Sequence, residues 1–476
     1  MRKMYAGARL RRLREERRLT QVALAKALGL SSSYLNQLEN DQRPLTVPVL
    51  LKLNATFDLD VQFFAADSDA RLVSDLHDVL SEANGEAQLS EVEELVARMP
   101  SIGRTLVTLH RRLHAAADQL DQFSAHLSGA PTDSQTPMPY EEVRDFFYDR
   151  RNHIPSLDQA AENLFRSERM HIGSMDLQLT RLLESKFGVS VQILNEDVGA
   201  LGPHRQYDPD RAVLKLARRL QPGQRAFQLA TQLAFLQHED ELERLVGEDT
   251  SLTAESRTLA RIGLANYFAG ALILPYEMFL DSAEELHYDI DLLAQRFEVG
   301  FETICHRLST LQRKGQRGVP FFFVRTDRAG NISKRQSATA FHFSRAGGSC
   351  PLWVVHEAFE RPGRILRQVA QMPDGRSYLW IARTTQSGGH GYRGPQKNFA
   401  IGLGCDLEYA ERLVYSKGLQ LDDPDAAIPI GAGCKVCDRP ACPQRAFPQL
   451  GRPILVNERN SRHLPYPQVP ETPVSG

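Results

Sequence analysis

TQVALAKALGLSSSYLNQLENDQRPLTVPVLLKL, residues 20–53, decides how the N-terminal part of this chain folds. Thr20 stands directly before an apolar helical segment, where its hydroxyl can accept from an otherwise unpaired backbone N–H. Gly29 permits the turn that ends this segment, because it carries no Cβ. Ser31 and Ser32 can cap the next helix, which runs to about Asn40, and Leu45 to Phe57 gives another apolar helix. Upstream, Leu10 and Leu13 begin an apolar stripe, so residues 5–60 read as four or five short helices. Two helices joined by a short glycine-containing turn have helix-turn-helix geometry.

The charge beside this stretch agrees with it. Residues 1–43 hold ten Lys or Arg and four Asp or Glu, in a chain of net charge −2. A basic face of this kind is the footprint of phosphate binding. With Thr20-Gln21, Ala25, Gly29, Tyr34-Leu35 and Leu38-Glu39 in these places, the stretch resembles the lambda-repressor-like XRE family of DNA-binding domains. The resemblance implies a recognition helix in the major groove, with Ser32, Ser33, Tyr34, Asn36 and Gln37 at the DNA. It also implies Gln21 and Arg43 on phosphates, and double-stranded operator DNA as partner.

Working outward, 476 residues allow about three domains. Hydrophobic residues make up 42% and charged residues 24%, the balance of a globular protein. No apolar run approaches the ~18–20 residues that cross a bilayer, and the basic N-terminus has no apolar segment of a secretory signal after it. The expectation is a cytoplasmic protein without a membrane.

Ile102, Leu106, Leu109, Leu113, Ala116, Leu120, Phe123 and Leu127 follow one another at alternating steps of four and three. That is a heptad seam on a helix ~39 Å long at ~1.5 Å per residue; it reads as a coiled coil that makes a homodimer or higher homo-oligomer, or else as a long helix lying on its own chain's core. GAPTDSQTPMP, residues 129–139, reads as a linker.

Residues 140–315 return to mixed helix with some strand. RAFQLATQLAFLQHE from Arg225 and ANYFAGALILPYEMFL from Ala265 resemble the two core helices of ImmA/IrrE-like metallopeptidases. The second helix keeps its pattern at Ala265, Asn266, Phe268, Ala269, Leu272 and Pro275. The first does not: Thr231, Gln232, Leu233, Ala234 and Phe235 stand where the peptidases have His-Glu-x-x-His. A zinc peptidase needs two imidazoles one turn apart and a carboxylate base. None is present, so no catalytic residue and no enzyme is expected. The apolar run at 292–315 reads as core packing, with Cys305 as a small buried hydrophobe.

From Pro320 the texture changes to strands: FFFVRTD, ISKRQSA, LWVVHEAF, ILRQVAQM and SYLWIART, with turns at 328–331 and 372–376 and a helix at 406–417. Cys434-x2-Cys437-x4-Cys442 follows, and Cys405 lies 29 positions before Cys434. Four thiolates can hold a [4Fe–4S] cluster or a zinc ion, and spacing leaves these open beside unligated thiols. Cys350 reads as structural. The fold class is therefore multidomain and mainly α: a helix-turn-helix domain at 1–64, a helical segment at 65–139, an α+β ImmA/IrrE-like domain at 140–315 and an α+β sensory domain at 316–476.

Together, the XRE domain, the degenerate peptidase domain and the tail GCKVCDRPACPQRAFP resemble the short-chain fatty acyl transcriptional regulators over nearly the full length. The resemblance implies a short-chain acyl-CoA effector and a [4Fe–4S] cluster on Cys405, Cys434, Cys437 and Cys442. CoA carries several phosphate charges and needs cations beside an apolar slot. Arg325, Lys334, Arg335 and Arg345 lie among aromatics, and Arg205 with Tyr207 are further candidates. The rival reading is a redox- or iron-sensing transcription factor in which the cluster or zinc is itself the effector.

Overall fold

The computed structural model describes residues 7–57 (apart from 18, 41 and 44), 70–82, 89–110, 113, 139–194, 202–249, 252–337, 349–388, 396–439 and 442–449, with 454 and 459. The chain divides into two units, one built from the first 135 residues and the other from most of the remainder.

Leucine spacing builds the first unit. Helices α1 (Gly7–Glu16), α2 (Gln21–Ala27), α3 (Ser32–Glu39) and α4 (Val47–Phe57) turn Leu10, Leu13, Leu24, Leu28, Leu35, Leu38 and Leu53 into one core. The expected caps form: Thr20 Oγ1 accepts from Ala23 N at 3.2 Å and Ser31 Oγ from Tyr34 N at 3.1 Å. Gly29 has φ +59°, the left-handed conformation that glycine adopts at least cost. Helices α5 (Ala70–Glu82), α6 (Leu89–Arg98) and α7 (residues 100–110) bury Leu76, Val92, Val96 and Val107 in a second core, and α6 also touches α1. The rest of the heptad seam and residues 129–138 lie outside the described residues.

The second unit opens with α8 (Pro139–Asp149), α9 (Pro155–Ser167) and α10 (Met175–Phe187). Pro139, read from sequence as the end of the linker, is the first residue of α8. Strands β1 (Ser190–Ile193), β2 (Arg205–Asp208) and β3 (Val213–Leu216) form a small sheet in the order β1-β3-β2, with β2 antiparallel to β3. Then come α11 (Pro222–Gln237), α12 (Glu239–Gly247), α13 (Ala254–Ile273), α14 (Tyr276–Glu285), α15 (Ile290–Arg296) and α16 (Phe301–Leu308). Cys305 is fully buried on α16, and burial pushes its thiol well up.

A six-stranded sheet follows, ordered β5-β4-β8-β7-β6-β9. It is made of β4 (Phe322–Thr326), β5 (Ile332–Ser337), β6 (Leu366–Gln371), β7 (Ser377–Gly388), β8 (Gln396–Asp406) and β9 (Ile428–Pro429), with the short α17 (Val354–Glu357) between β5 and β6. One apolar core runs from Phe146 to Leu413, so residues on both sides of position 315 share it.

Three expectations are corrected here. LWVVHEAF holds α17 rather than a strand, because Gln368 Oε1 accepts from Val354 N and Gln368 Nε2 donates to Leu352 O, which pins the start of a helical turn. The helix expected at 406–417 is two 3₁₀ turns, Leu407–Arg412 and Val414–Ser416. Strand β8 was not expected at all. Its glycines weaken strand propensity, yet a Cβ on Gly404 would stand 2.5 Å from Phe322 and 2.8 Å from Trp380. The chain is thus a multidomain α+β protein, about half helical, with two mixed sheets.

Candidate functional site

Helix α3 carries the expected reading residues. Ser32, Ser33 and Asn36 are exposed, while Tyr34 and Gln37 are half-buried. Leu35, Leu38 and Glu39 point inward and fix the helix to the core. Glu39 is almost fully buried and receives Arg14 Nε at 2.7 Å, a charge-assisted bond that ties α3 to α1. Gln21 Nε2 donates to Asn36 Oδ1 and to Glu39 Oε2, both at 3.1 Å. Gln21 therefore sets the orientation of Asn36, a role that the sequence did not show. Arg43 lies over the Tyr34 ring, 5.8 Å from its centroid.

In the second unit, α11 and α13 pack together as the peptidase pattern implies, and among the described residues no group of three His, Cys, Asp or Glu gathers to hold a metal. Thr231 and Gln232 are buried, and Thr231 Oγ1 donates to Phe227 O at 2.7 Å. Leu233 and Ala234 are core. Phe235, where the second histidine would stand, lies under the Arg205 guanidinium at 5.3 Å. His238 packs against Phe268 instead, and burial lowers its pKa.

Arg205 is one of several cations near β2. The neighbouring His204 has its pKa lowered by burial first and then by the charges of Arg219 and Lys397, the latter on β8. Burial also lowers the pKa of Arg205, whose Nη1 is buried without a hydrogen-bond partner among the described residues. On β8, Asn398 Oδ1 is in the same condition. Each such group costs about 1–3 kcal/mol unless a ligand or water satisfies it. Tyr207 is half-buried on the same strand as Arg205.

The other expected CoA contacts sit elsewhere. Arg325 on β4 is ion-paired to Glu302 at 3.0 Å and lies over Phe399. Lys334 faces it across the β4–β5 ladder and lies over Phe323, where burial brings its pKa down to about 8. Arg335 pairs with Val324 in the same ladder, and Arg345 lies outside the described residues. The structure thus separates this set from Arg205 and Tyr207, onto a different sheet.

Cysteines converge where β9 leads into the C-terminal loop. Cys350, Cys434, Cys437 and Cys442 line one cavity of about 290 Å³, counting its opening to solvent, together with Gly431, Gly433, Arg439 and Arg445. Cys350, read as structural from sequence, is therefore a wall of this site. Cys405 is not. Side chains alternate along β8, and the Gly402 face is the one packed on Val355 of α17, which follows Cys350. Cys405 points to the opposite face and is fully buried in the apolar core, where burial pushes its thiol up.

The cavity walls are tight and electropositive. A Cβ on Gly431 would lie 2.5 Å from Cys437 Sγ. Arg445 is buried and donates to the carbonyls of Cys434 at 2.8 Å, Cys437 at 2.9 Å and Arg439 at 2.6 Å, while its Nε has no partner among the described residues. Arg439 donates to Ile430 O and Gln371 O. Ala446 N donates to Cys434 Sγ at 3.4 Å. Burial pushes the free thiols of Cys350 and Cys437 up, so ionising them needs compensation. Among the described residues, no three His, Cys, Asp or Glu side chains converge on a single ion.

A helix-turn-helix head with an exposed third helix, in a chain with a peptidase-like domain whose metal-ligand positions are Thr231 and Phe235, defines a DNA-binding transcriptional regulator. Comparison with known proteins agrees. Residues 10–64 match the helix-turn-helix family, 184–309 the IrrE N-terminal-like domain, and 310–466 the C-terminal domain of short-chain fatty acyl coenzyme A regulators. The chain is 60% identical to the HTH-type transcriptional regulator PrpR of Mycobacterium tuberculosis, over 97% of this chain and 95% of that protein. It is 51% identical to RamB of the same species, over 98% and 99%, and 41% identical to the propionyl-CoA carboxylase regulator of Cereibacter sphaeroides, over 98% of each. A solved Mycobacterium tuberculosis transcriptional regulator superposes with a TM-score of 0.67 at 62% identity, covering 70% of this chain and all of that one. The chain belongs to the short-chain fatty acyl coenzyme A regulator family.

Proposed function

We propose that this chain is a one-component regulator of short-chain fatty acid metabolism, acting in the cytoplasm. It reads operator DNA with α3, takes a short-chain acyl-CoA as effector and carries a [4Fe–4S] cluster on Cys350, Cys434, Cys437 and Cys442. The observation that carries the effector is the buried, unsatisfied Arg205 Nη1 on β2, with the charges of Arg219 and Lys397 beside the neighbouring His204. A phosphate-bearing ligand supplies the missing acceptor and charge, and Tyr207 and Phe235 offer apolar surface beside it. The names of the PrpR and propionyl-CoA carboxylase relatives favour a propionyl group.

The cysteine cavity fits a cluster better than one zinc ion. Zinc draws four sulfurs to within about 2.3 Å of a single point, whereas each cysteine of a cubane binds a different iron. When bound, the cluster supplies cross-linking of the loop and a reducible centre. Arg445 and Arg439 hold the loop carbonyls and place positive charge beside the thiolates; Gly431 leaves room for Cys437.

Regulation requires the effector to bind one arrangement of the protein better than another, since a ligand shifts an equilibrium only by its differential affinity. Titrating propionyl-CoA, acetyl-CoA and free CoA against operator DNA tests this by fluorescence anisotropy. Saturating propionyl-CoA is expected to change DNA affinity at least about 5-fold, and Arg205→Ala to weaken the propionyl-CoA response about 10-fold with iron content unchanged. An unchanged DNA affinity rejects the acyl-CoA reading. The cysteine cavity favours a second reading, in which the cluster is the effector. Loss of regulation in Cys437→Ser, with acyl-CoA still bound, would select it.

A further inference from the structure

The side-chain amides around α3 are oriented by charged groups. Glu39, almost fully buried, holds its carboxylate between Arg14 Nε at 2.7 Å and Gln21 Nε2 at 3.1 Å. A carboxylate paired to a guanidinium only accepts hydrogen bonds, so the Gln21 amide must turn its nitrogen toward Glu39. The same nitrogen donates to Asn36 Oδ1 at 3.1 Å. A second relay arrives from Arg11, whose guanidinium only donates. Its Nη2 meets Asn40 Oδ1 at 2.7 Å, which turns Asn40 Nδ2 toward Asn36 O at 2.9 Å and Asn36 Oδ1 at 3.0 Å. Both relays begin at a group of fixed hydrogen-bonding sense and end on one oxygen. Asn36 Oδ1 accepts twice, which fills its two lone pairs. Asn36 Nδ2 has no acceptor among the described residues, and Asn36 is exposed at helical spacing from Ser32 and Ser33.

We infer that Asn36 reads the operator as a hydrogen-bond donor only: it selects a base edge that accepts, guanine first and thymine second, and excludes adenine and cytosine. A free asparagine pairs with adenine through two bonds, accepting from N6 and donating to N7. Here the accepting half of the amide is already engaged inside the protein, so the adenine N6 donor would face the Asn36 Nδ2 donor. Cytosine presents its N4 donor in the major groove and is excluded for the same reason. Thymine O4 accepts one bond. Guanine presents N7 and O6 side by side, which suits the two N–H groups of one amide nitrogen. Gln21 and Asn40 are thus positioning residues, because they set which half of the Asn36 amide meets DNA.

Selection of bound duplexes from a randomised DNA library by the full-length protein decides it, followed by fluorescence anisotropy on single-base variants of the selected site. The inference rests on the operator-reading role of α3, and the two fail differently. A protein that enriches no sequence overturns both, whereas an enriched site with the wrong base overturns only the donor rule. In Asn36→Ala, with unchanged circular dichroism, one position of the site is expected to lose its preference. The wild type is expected to favour guanine or thymine there over adenine or cytosine by at least ~5-fold. Asn36→Asp can still accept from Gln21 and Asn40 but turns an acceptor outward, so the preference at that position is expected to move to cytosine or adenine. Gln21→Leu takes one donor away from Asn36 Oδ1 and should weaken the discrimination against adenine there by ~3-fold or more, whatever happens to overall affinity. Adenine or cytosine at that position in the wild type overturns the inference. So does uniform weakening across all sequences in Asn36→Ala, or an unchanged preference in Asn36→Asp.

Discussion

Two buried arginines show how differently the peptidase-like body and the cysteine loop are built. Arg307, in the former peptidase body, has a carboxylate: its Nη2 donates to Asp158 Oδ1 at 2.6 Å, its Nε to Leu274 O and its Nη1 to Thr310 Oγ1. Tyr267 Oη donates to the other oxygen of Asp158 at 2.6 Å. The Arg307 charge and both Asp158 oxygens are answered from within the chain. Arg445, in the cysteine loop, meets only backbone carbonyls and keeps one unpartnered N–H. Its charge has no carboxylate to balance it among the described residues. A closed network stabilises a fold, whereas an open one is complete only with an anion in place. The Asp158–Arg307 network is closed architecture, whereas the positive charge of Arg445 is unanswered among the described residues, which suits the thiolates of the cluster proposed above.

The sharpest way to break this contrast is to change the ligands. Cys350→Ser is expected to drop anaerobically purified protein from about four irons per chain to below one, while Cys405→Ser keeps its iron and its visible absorption. The opposite pattern, read by iron and sulfide analysis, would return Cys405 to the site. Zinc in place of iron would make the loop a structural staple.

Next in size is the closed network. Asp158→Ala strands the Arg307 charge in the core and should cost about 3–5 kcal/mol in urea unfolding, with the far-UV spectrum of the folded state retained. A loss under about 1 kcal/mol would show that water or rearrangement answers Arg307, and the two arginines would no longer differ in kind.

The smallest effect is a titration. Burial pushes the Asp158 carboxyl up, but the Arg307 charge and hydrogen bonds from His153, Tyr267 and Arg307 outweigh it and bring the pKa down to about 2. A depressed carboxylate stabilises the fold above its unfolded pKa of about 3.9 and loses that contribution as pH falls through its folded value. Unfolding free energy should therefore fall by about 2 kcal/mol between pH 5 and pH 2 through this group, and Asp158→Ala should lack that component.

How much of this was legible in sequence depended on how local the signal is. The α2–turn–α3 head rests on Thr20, Gly29 and Ser31, which act on neighbours within a few residues, and it formed as read. The loss of peptidase chemistry was equally plain, because Thr231 and Phe235 sit at fixed helical spacing. Cys434, Cys437 and Cys442 announced themselves by proximity. Their companion Cys350 did not, because only the sheet brings it to the loop. Cys405 looked nearer along the chain, but strand alternation turned it into the core. Strand β8 escaped for a related reason: its glycines answer Phe322 and Trp380 on neighbouring strands, not local preference.

One strand prepares the cysteine site from both directions. On β6, Gln368 grips the segment that follows Cys350, through Leu352 O and Val354 N. Three residues on, the Gln371 carbonyl accepts from Ile430 N and from Arg439 of the cysteine loop. Both halves of the thiol set are thus clamped to a single rail by bonds that involve no sulfur. If the proposed cluster binds here, it meets a loop whose two halves are already held in place, so the apoprotein is expected to fold before iron and sulfide arrive.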